Sequence, residues 1–235
     1  MPLKVTFRCP PELLGFLPRP VRARQGLPAW LRDMPGQVRV PELGAEIRTL
    51  KQCPPLVDAM RAGFLMPLAT DVRVEDGAFS WDWELPVTAL GRTSRSPLGF
   101  HHAEQATGSP LHDPEWVFLK FNNFWTIELE PGWSLLVSHP ANRADLPFQT
   151  LTGIVDADLF RDGLIQFPAR WLDPGFTGVL PRGTPVAQCI PVPREALDLT
   201  FEPLEGDAAA RFAEVKDALA AEPGIYRKRF HASRP

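Results

Sequence analysis

From residue 70 onward the hydrophobic positions recur every second residue. Val72 and Val74, then Phe79, Trp81 and Trp83, alternate with Arg73, Glu75, Ser80, Asp82 and Glu84. Asp76-Gly77 stands between the two runs. Asp-Gly flanked by alternating residues is the strongest short-range signal for a β-hairpin, because both central turn residues need positive φ. Further strand-like runs follow at 115–121, 124–129, 133–138, 151–156, 163–167, 176–180 and 185–192, broken at Pro131-Gly132, Pro140, Pro147, Gly163, Pro168, Pro174-Gly175, Pro181 and Gly183. Short strands with turn residues at this spacing predict a mainly β fold, barrel-like or sandwich-like.

Helical spacing occurs in three places. LPAWLRDMP (27–35) predicts a short helix with Trp30 and Leu31 inward and Pro35 ending it. CPPLVDAMRAGF (53–64) predicts a second, with Pro54 and Pro55 in the first turn, Leu56, Ala59 and Met60 on an apolar face, and Gly63 as a left-handed stop. GDAAARFAEVKDALAAEPG (206–224) predicts an amphipathic helix with Ala208, Phe212, Val215 and Leu219 on one stripe and Pro223-Gly224 at its end. Residues 87–114 read as a long polar loop. The expected organisation is one domain over 1–235: an irregular and helical N-terminal part (1–67), a β core (68–195), and a C-terminal helix with a basic tail (196–235).

Composition sharpens this picture at one point. Twenty-seven of 235 residues are proline, about twice the usual 5%. They are spread along the chain, and proline is excluded from helix interiors and central strands, so many short strands are favoured over long elements. A length of 235 residues is enough to bury a core without staples. The net charge of −3 provides no general field for nucleic acid. One basic cluster stands out, Arg227, Lys228 and Arg229 with His231 and Arg234, which reads as a solvated tail or an anion contact. Cys9, Cys53 and Cys189 are odd in number and far apart, so reduced thiols and a cytoplasmic location are expected. No apolar run approaches the roughly 20 residues of a membrane helix, and no membrane partner is expected.

KFNNFWTIELEPGWSLLVSHPANR (120–143), LPFQTLTGIVDADLF (146–160) and GFTGVLPRGTPVAQCIPVPRE (175–195) resemble a family of uncharacterised phage and bacterial proteins of unknown function. CPPLVDAMRAGF is similar to that family too, so the resemblance covers most of the chain. GIVDADLF (153–160) with LPRGTPVAQCIPVP (180–193) also resembles the late motifs of the dUTPase and dCTP deaminase superfamily. That second resemblance implies a β-clip-like or distorted-barrel core, a nucleotide-like ligand and a homotrimer with sites at subunit junctions. The chain departs from the superfamily at HPANRAD (139–145), which lacks its phosphate-holding Arg-Ser-Gly. Leu159 and Phe160 stand where it places a sugar-stacking tyrosine.

Candidate chemistry follows from residue types. Asp156 and Asp158, two apart, would share one strand face, and close like charges raise one pKa toward a general base; the other reading is a turn cap. Gln188 could read a polar ligand or satisfy buried backbone groups. Asn122, Asn123 and Trp125 could line a flat polar ligand or form a bulge beside core aromatics. These six residues define the expected site for a small polar molecule, as a binding protein or an enzyme. A non-haem iron oxygenase is the alternative, with His102, Glu104 and His139 as the iron ligands. A third reading is a non-catalytic structural or interaction protein. No G-x-S-x-G and no Gly-rich phosphate loop occurs.

Overall fold

The computed structural model describes residues 2–83, 85–88 and 94–233. Glu84 of the alternating run, residues 89–93 of the long loop and Arg234 of the basic cluster lie outside the described residues. Internal contacts divide the chain into two compact units, Met1–Met34 with Asp58–Arg194, and Pro35–Val57 with Glu195–Pro235.

The strands, in chain order, begin with β1 (Thr6–Arg8), β2 (Val21–Arg22), β3 (Gln37–Val40), β4 (Ala45–Arg48), β5 (Phe64–Pro67), β6 (Val72–Glu75), β7 (Ala78–Ser80) and β8 (Leu98–His101). They continue with β9 (Phe118–Phe121), β10 (Thr126–Glu128), β11 (Trp133–Ser138), β12 (Phe148–Thr150), β13 (Gly153–Val155), β14 (Phe167–Trp171), β15 (Gly178–Leu180) and β16 (Pro185–Pro193). The helices are α1 (Ala29–Asp33), α2 (Pro54–Arg61) and α3 (Gly206–Ala221).

The first unit is mainly β, as the periodicity predicts. Its largest sheet has the order β13-β11-β16-β5-β2, and a four-stranded sheet runs β12-β14-β9-β8. A third has the order β15-β6-β7, and β1 pairs with β10. All pairings are antiparallel, and none of these sheets closes into a barrel. One hydrophobic cluster joins the sheets, with Leu119, Phe121, Leu135, Phe148, Phe167 and Val186 among its buried members.

Local chemistry accounts for the main elements. In β6, Val72 and Val74 are buried while Arg73 and Glu75 face outward, and Asp76 and Gly77 take the positive φ that the hairpin to β7 needs. β16 reads as a nearly continuous apolar run because Val186 to Cys189 are buried, with Gln188 and Cys189 paired to β11 on one side and β5 on the other. Beyond Cys189 it pairs with β11 alone, which is why Pro191 and Pro193 are tolerated there.

Three expectations are corrected. The N-terminal 67 residues hold five strands rather than only irregular and helical chain. Their runs are two to four residues long and flanked by proline and glycine, too short to show a period. The long loop contains β8, paired with β9, and a 3-10 turn at Ala103–Ala106. β14 begins at Phe167, where the apolar run of 163–167 was expected to end.

The second unit is built differently. It holds the β3-β4 hairpin, α3 and a π-helical turn at Tyr226–Phe230. Ile225 is its only buried residue among those described, and it contributes nothing to the hydrophobic core. The apolar stripe of α3 is not covered: Phe212 and Leu219 are exposed. No helix among the described residues is long and apolar enough to cross a membrane.

Candidate functional site

The Asp156–Asp158 pair closes a turn at the end of β13, where the N–H groups of Leu159 and Phe160 donate to the Asp156 carbonyl at 2.9 and 2.8 Å. Arg194 clamps Asp158 through two bonds, 2.7 Å from Nη1 to Oδ1 and 2.5 Å from Nη2 to Oδ2. The Gly132 N–H donates to Asp158 Oδ2 at 2.9 Å. Asp156 accepts from the Ser134 hydroxyl at 2.6 Å and lies 3.3 Å from Arg194. A cation therefore sits between two carboxylates that would otherwise repel. The Arg194 hydrogen bonds, opposed by burial and helped by the Gly132 N–H, hold the Asp158 carboxyl well below the usual carboxylate range. An ionised, fully engaged carboxylate does not shuttle protons; it fastens β13 to the end of β16.

A carboxyl held below its unfolded value contributes stability that is whole above about pH 4 and lost as pH falls toward its folded value. Asp158→Asn is therefore expected to lower the thermal midpoint at pH 7. It should also remove part of the fall in midpoint that the unmodified protein shows below pH 4. Parallel acid titrations of both proteins by circular dichroism would show no difference if Asp158 merely decorated the surface.

Gln188 is 1% exposed and spends every polar atom on the chain itself. Its Oε1 accepts from the Ala141 N–H at 2.8 Å, and its Nε2 donates to the carbonyls of Ala59 and Ala62, both at 2.7 Å. The space beside it is about 10 Å³, at the lower limit for a single water. Gln188 pairs with Ser138 across the β11-β16 ladder, while Asp156 is bonded to Ser134, four residues earlier on β11. At about 3.3 Å per residue that separates the two by roughly 13 Å along one sheet face. The structure does not bring Gln188 and the aspartates into one pocket.

The amide–aromatic stretch forms a tight turn. Asn123 accepts from the Trp125 N–H at 2.9 Å and donates to the Trp125 carbonyl at 2.6 Å. Trp125 is buried, with its indole N–H on the Pro18 carbonyl at 3.1 Å. Asn122 donates to the Ser96 carbonyl at 2.9 Å. These residues join β9 to β10 and anchor the chain that enters β8.

His102, Glu104 and His139 are not gathered either. His102 and Glu104 flank the start of the 3-10 turn, where the His102 N–H donates to Gln105 Oε1 at 3.1 Å. Both ring nitrogens of His139 are occupied: Nε2 donates to the Arg143 carbonyl at 3.0 Å, and Nδ1 accepts from the Thr150 N–H at 3.3 Å. Burial pushes its pKa down, keeping the ring neutral as this pairing requires. Arg143, within HPANRAD, is engaged by Asp145 at 2.7 and 2.8 Å. Among the described residues no group of three His, Cys, Asp or Glu side chains is placed to hold a metal.

A cleft of about 810 Å³ lies within the second unit. Pro54, Pro55, Leu219 and Tyr226 supply apolar wall, and Arg48, Arg227 and Lys228 supply charge. Lys228 is paired with Glu222, whereas the guanidinium groups of Arg48 and Arg227 have no polar partner among the described residues. Gly224, at φ +89°, makes room for Arg48: a Cβ there would lie 2.9 Å from Nη1. A cleft of this size with apolar walls and two uncommitted guanidinium groups suits a ligand carrying both apolar and anionic groups.

Directly after Arg194 the chain runs as an arm without regular structure over residues 195–205. Leu197, Leu199 and Phe201 are 85, 73 and 93% exposed. Sequence reasoning found the basic cluster at 227–229 but neither Arg48 nor the arm. Arg48 lies nearly 180 residues from Arg227 in a short polar hairpin, and no residue-type signal links them. The arm's alternation of Leu197, Leu199 and Phe201 was a usable signal, since it repeats the period of the core strands. No known family model matches the chain, and no curated protein shows significant similarity to it.

Proposed function

We propose that this is a non-catalytic assembly protein whose second unit binds a second copy of the chain. The observation that carries this reading is the distribution of apolar surface. The second unit has about a quarter of the residues, yet among the described residues it contains half of the exposed large hydrophobic side chains and none of the main buried cluster. Exposed apolar surface of that extent on a folded chain marks an interaction site. The engagement of Asp158, Gln188, Asn123 and His139 with the protein's own groups supports a structural role for the polar residues of the first unit.

A second copy is favoured as the partner because the unit carries both halves of a complementary pair. The arm holds Glu195, Asp198, Glu202 and Glu205 and no basic residue, while the cleft holds the unpaired Arg48 and Arg227. Burying Leu197, Leu199 and Phe201 of two copies gains about 2 kcal/mol each, roughly 12 in all. That is comparable with the 4–15 kcal/mol that association costs, so the surplus rests on charge matching and a reversible oligomer is expected. Light scattering on the full chain tests it. A mass of at least two 26.2 kDa chains is expected at high concentration; a single-chain mass throughout would overturn the proposal.

A further inference from the structure

We infer that the arm of one copy, residues 195–205, seats in the cleft of a second copy, which returns its own arm to the first. This rests on the assembly reading above and names the surfaces that carry it. The alternating sequence places Leu197, Leu199 and Phe201 on one face of an extended segment and Asp198, Thr200 and Glu202 on the other. One face matches the proline, leucine and tyrosine wall of the cleft, and the other matches Arg48 and Arg227. The N–H groups of Glu195 to Glu202 donate to no group among the described residues, so main-chain hydrogen bonds remain for a partner.

The arm does not occupy the cleft of its own chain, since its three apolar side chains are almost fully exposed. Pairing of two arms with each other is disfavoured. An antiparallel pair centred on Thr200 would set Asp198 against Glu202, and like charges directly opposite are destabilising. A reciprocal exchange of arm and cleft satisfies both surfaces about a two-fold axis, because each copy offers the same two patches. The contact is expected to weaken as salt rises.

Two charge-reversed forms of the full chain test the inference. One carries Arg48→Glu with Arg227→Glu, and the other carries Asp198→Lys with Glu202→Lys. All four residues are exposed, so folding, checked by circular dichroism, is expected to be unchanged. Like charges facing each other cost several kcal/mol, so each form alone should dissociate about 100-fold more readily than the unmodified chain. An equimolar mixture should recover pairs, because the acidic cleft of one form takes the basic arm of the other, and the basic arm's own cleft takes the acidic arm. A misfolded variant would give no such recovery.

If either form alone keeps the unmodified mass, or if mixing restores nothing, the arm–cleft contact is overturned while self-association stands. A single-chain mass for the unmodified protein removes both. Retained mass together with inorganic phosphate stabilising the unmodified chain, but not the Arg48→Glu/Arg227→Glu form, would assign the cleft to a small anion instead and likewise overturn the inference.

Discussion

Gly63→Ala is expected to abolish accumulation of the folded protein. Gly63 ends α2 at φ +65°, where a side chain costs about 1–2 kcal/mol from the backbone alone. The larger effect is steric. A Cβ at this position would lie 2.0 Å from the Cys189 carbonyl oxygen and 2.9 Å from its carbon. Those are backbone atoms of β16 opposite Phe64, in a strand held by β11 on one side and β5 on the other, so they cannot step aside cheaply. A loss of roughly 4–5 kcal/mol or more is expected, comparable with the whole stability of many domains. Gly77 and Gly132 are the controls. Both have positive φ, but nothing lies within 4 Å of an added Cβ, so alanine there should cost only about 1–2 kcal/mol. Soluble yield and circular dichroism of the three variants, with urea unfolding of those that fold, check the contrast, and equal losses at all three would show that the approach of β5 to β16 is not what Gly63 protects.

The second large effect is expected at Gln188. Truncation to alanine leaves the Ala141 N–H and the carbonyls of Ala59 and Ala62 without their partner. It also opens a void beneath them. An unsatisfied buried group costs about 1–3 kcal/mol, and all three partners belong to alanines that are at least partly exposed, so a total of roughly 3–5 kcal/mol is expected rather than three full penalties. Gln188→Glu should also destabilise, because the carboxylate keeps the contact to Ala141 but faces two carbonyls with no donor. A residue kept for reading a ligand would show the reverse pattern, with stability retained. Unfolding free energies from urea titration within about 1 kcal/mol of the unmodified protein for both substitutions would refute its structural role.

These two residues show what the sequence could disclose. Gly63 was readable as a helix stop, because helix signals are local: two prolines in the first turn, an apolar face, then glycine. Its closeness to Cys189 was not, since the approach joins positions 126 apart. Gln188 was readable as a polar residue in an apolar strand, with both of its roles in view. Its partners are backbone groups of alanines 129, 126 and 47 positions away, and a backbone amide leaves no mark in the sequence. The Asp-Gly hairpin and six of the seven β runs were legible because period two and turn residues reinforce each other; the run at 163–167 was misplaced, since β14 starts at Phe167 and carries Pro168 within it. The short strands β2, β3 and β4 were not, having two to four residues each with polar and apolar positions mixed.

The aspartates illustrate a different limit. Their spacing suggested one shared strand face; they lie instead in the turn after β13, where both meet Arg194. What spacing could not supply was the cation between them, which turns a possible proton-transfer pair into a strand fastener. The apolar stripe of α3 shows a third limit. Amphipathic spacing identifies a face that wants burial but not which molecule buries it, and here Phe212 and Leu219 remain exposed.

Amide hydrogen exchange of the unmodified chain, compared between dilute and concentrated solution, tests self-association through the second unit most directly. The predicted result is slower exchange at high concentration for residues 195–202, whose N–H groups have no partner within the chain, with amides of the β16 core unchanged. Equal and rapid exchange of the arm at both concentrations would contradict it.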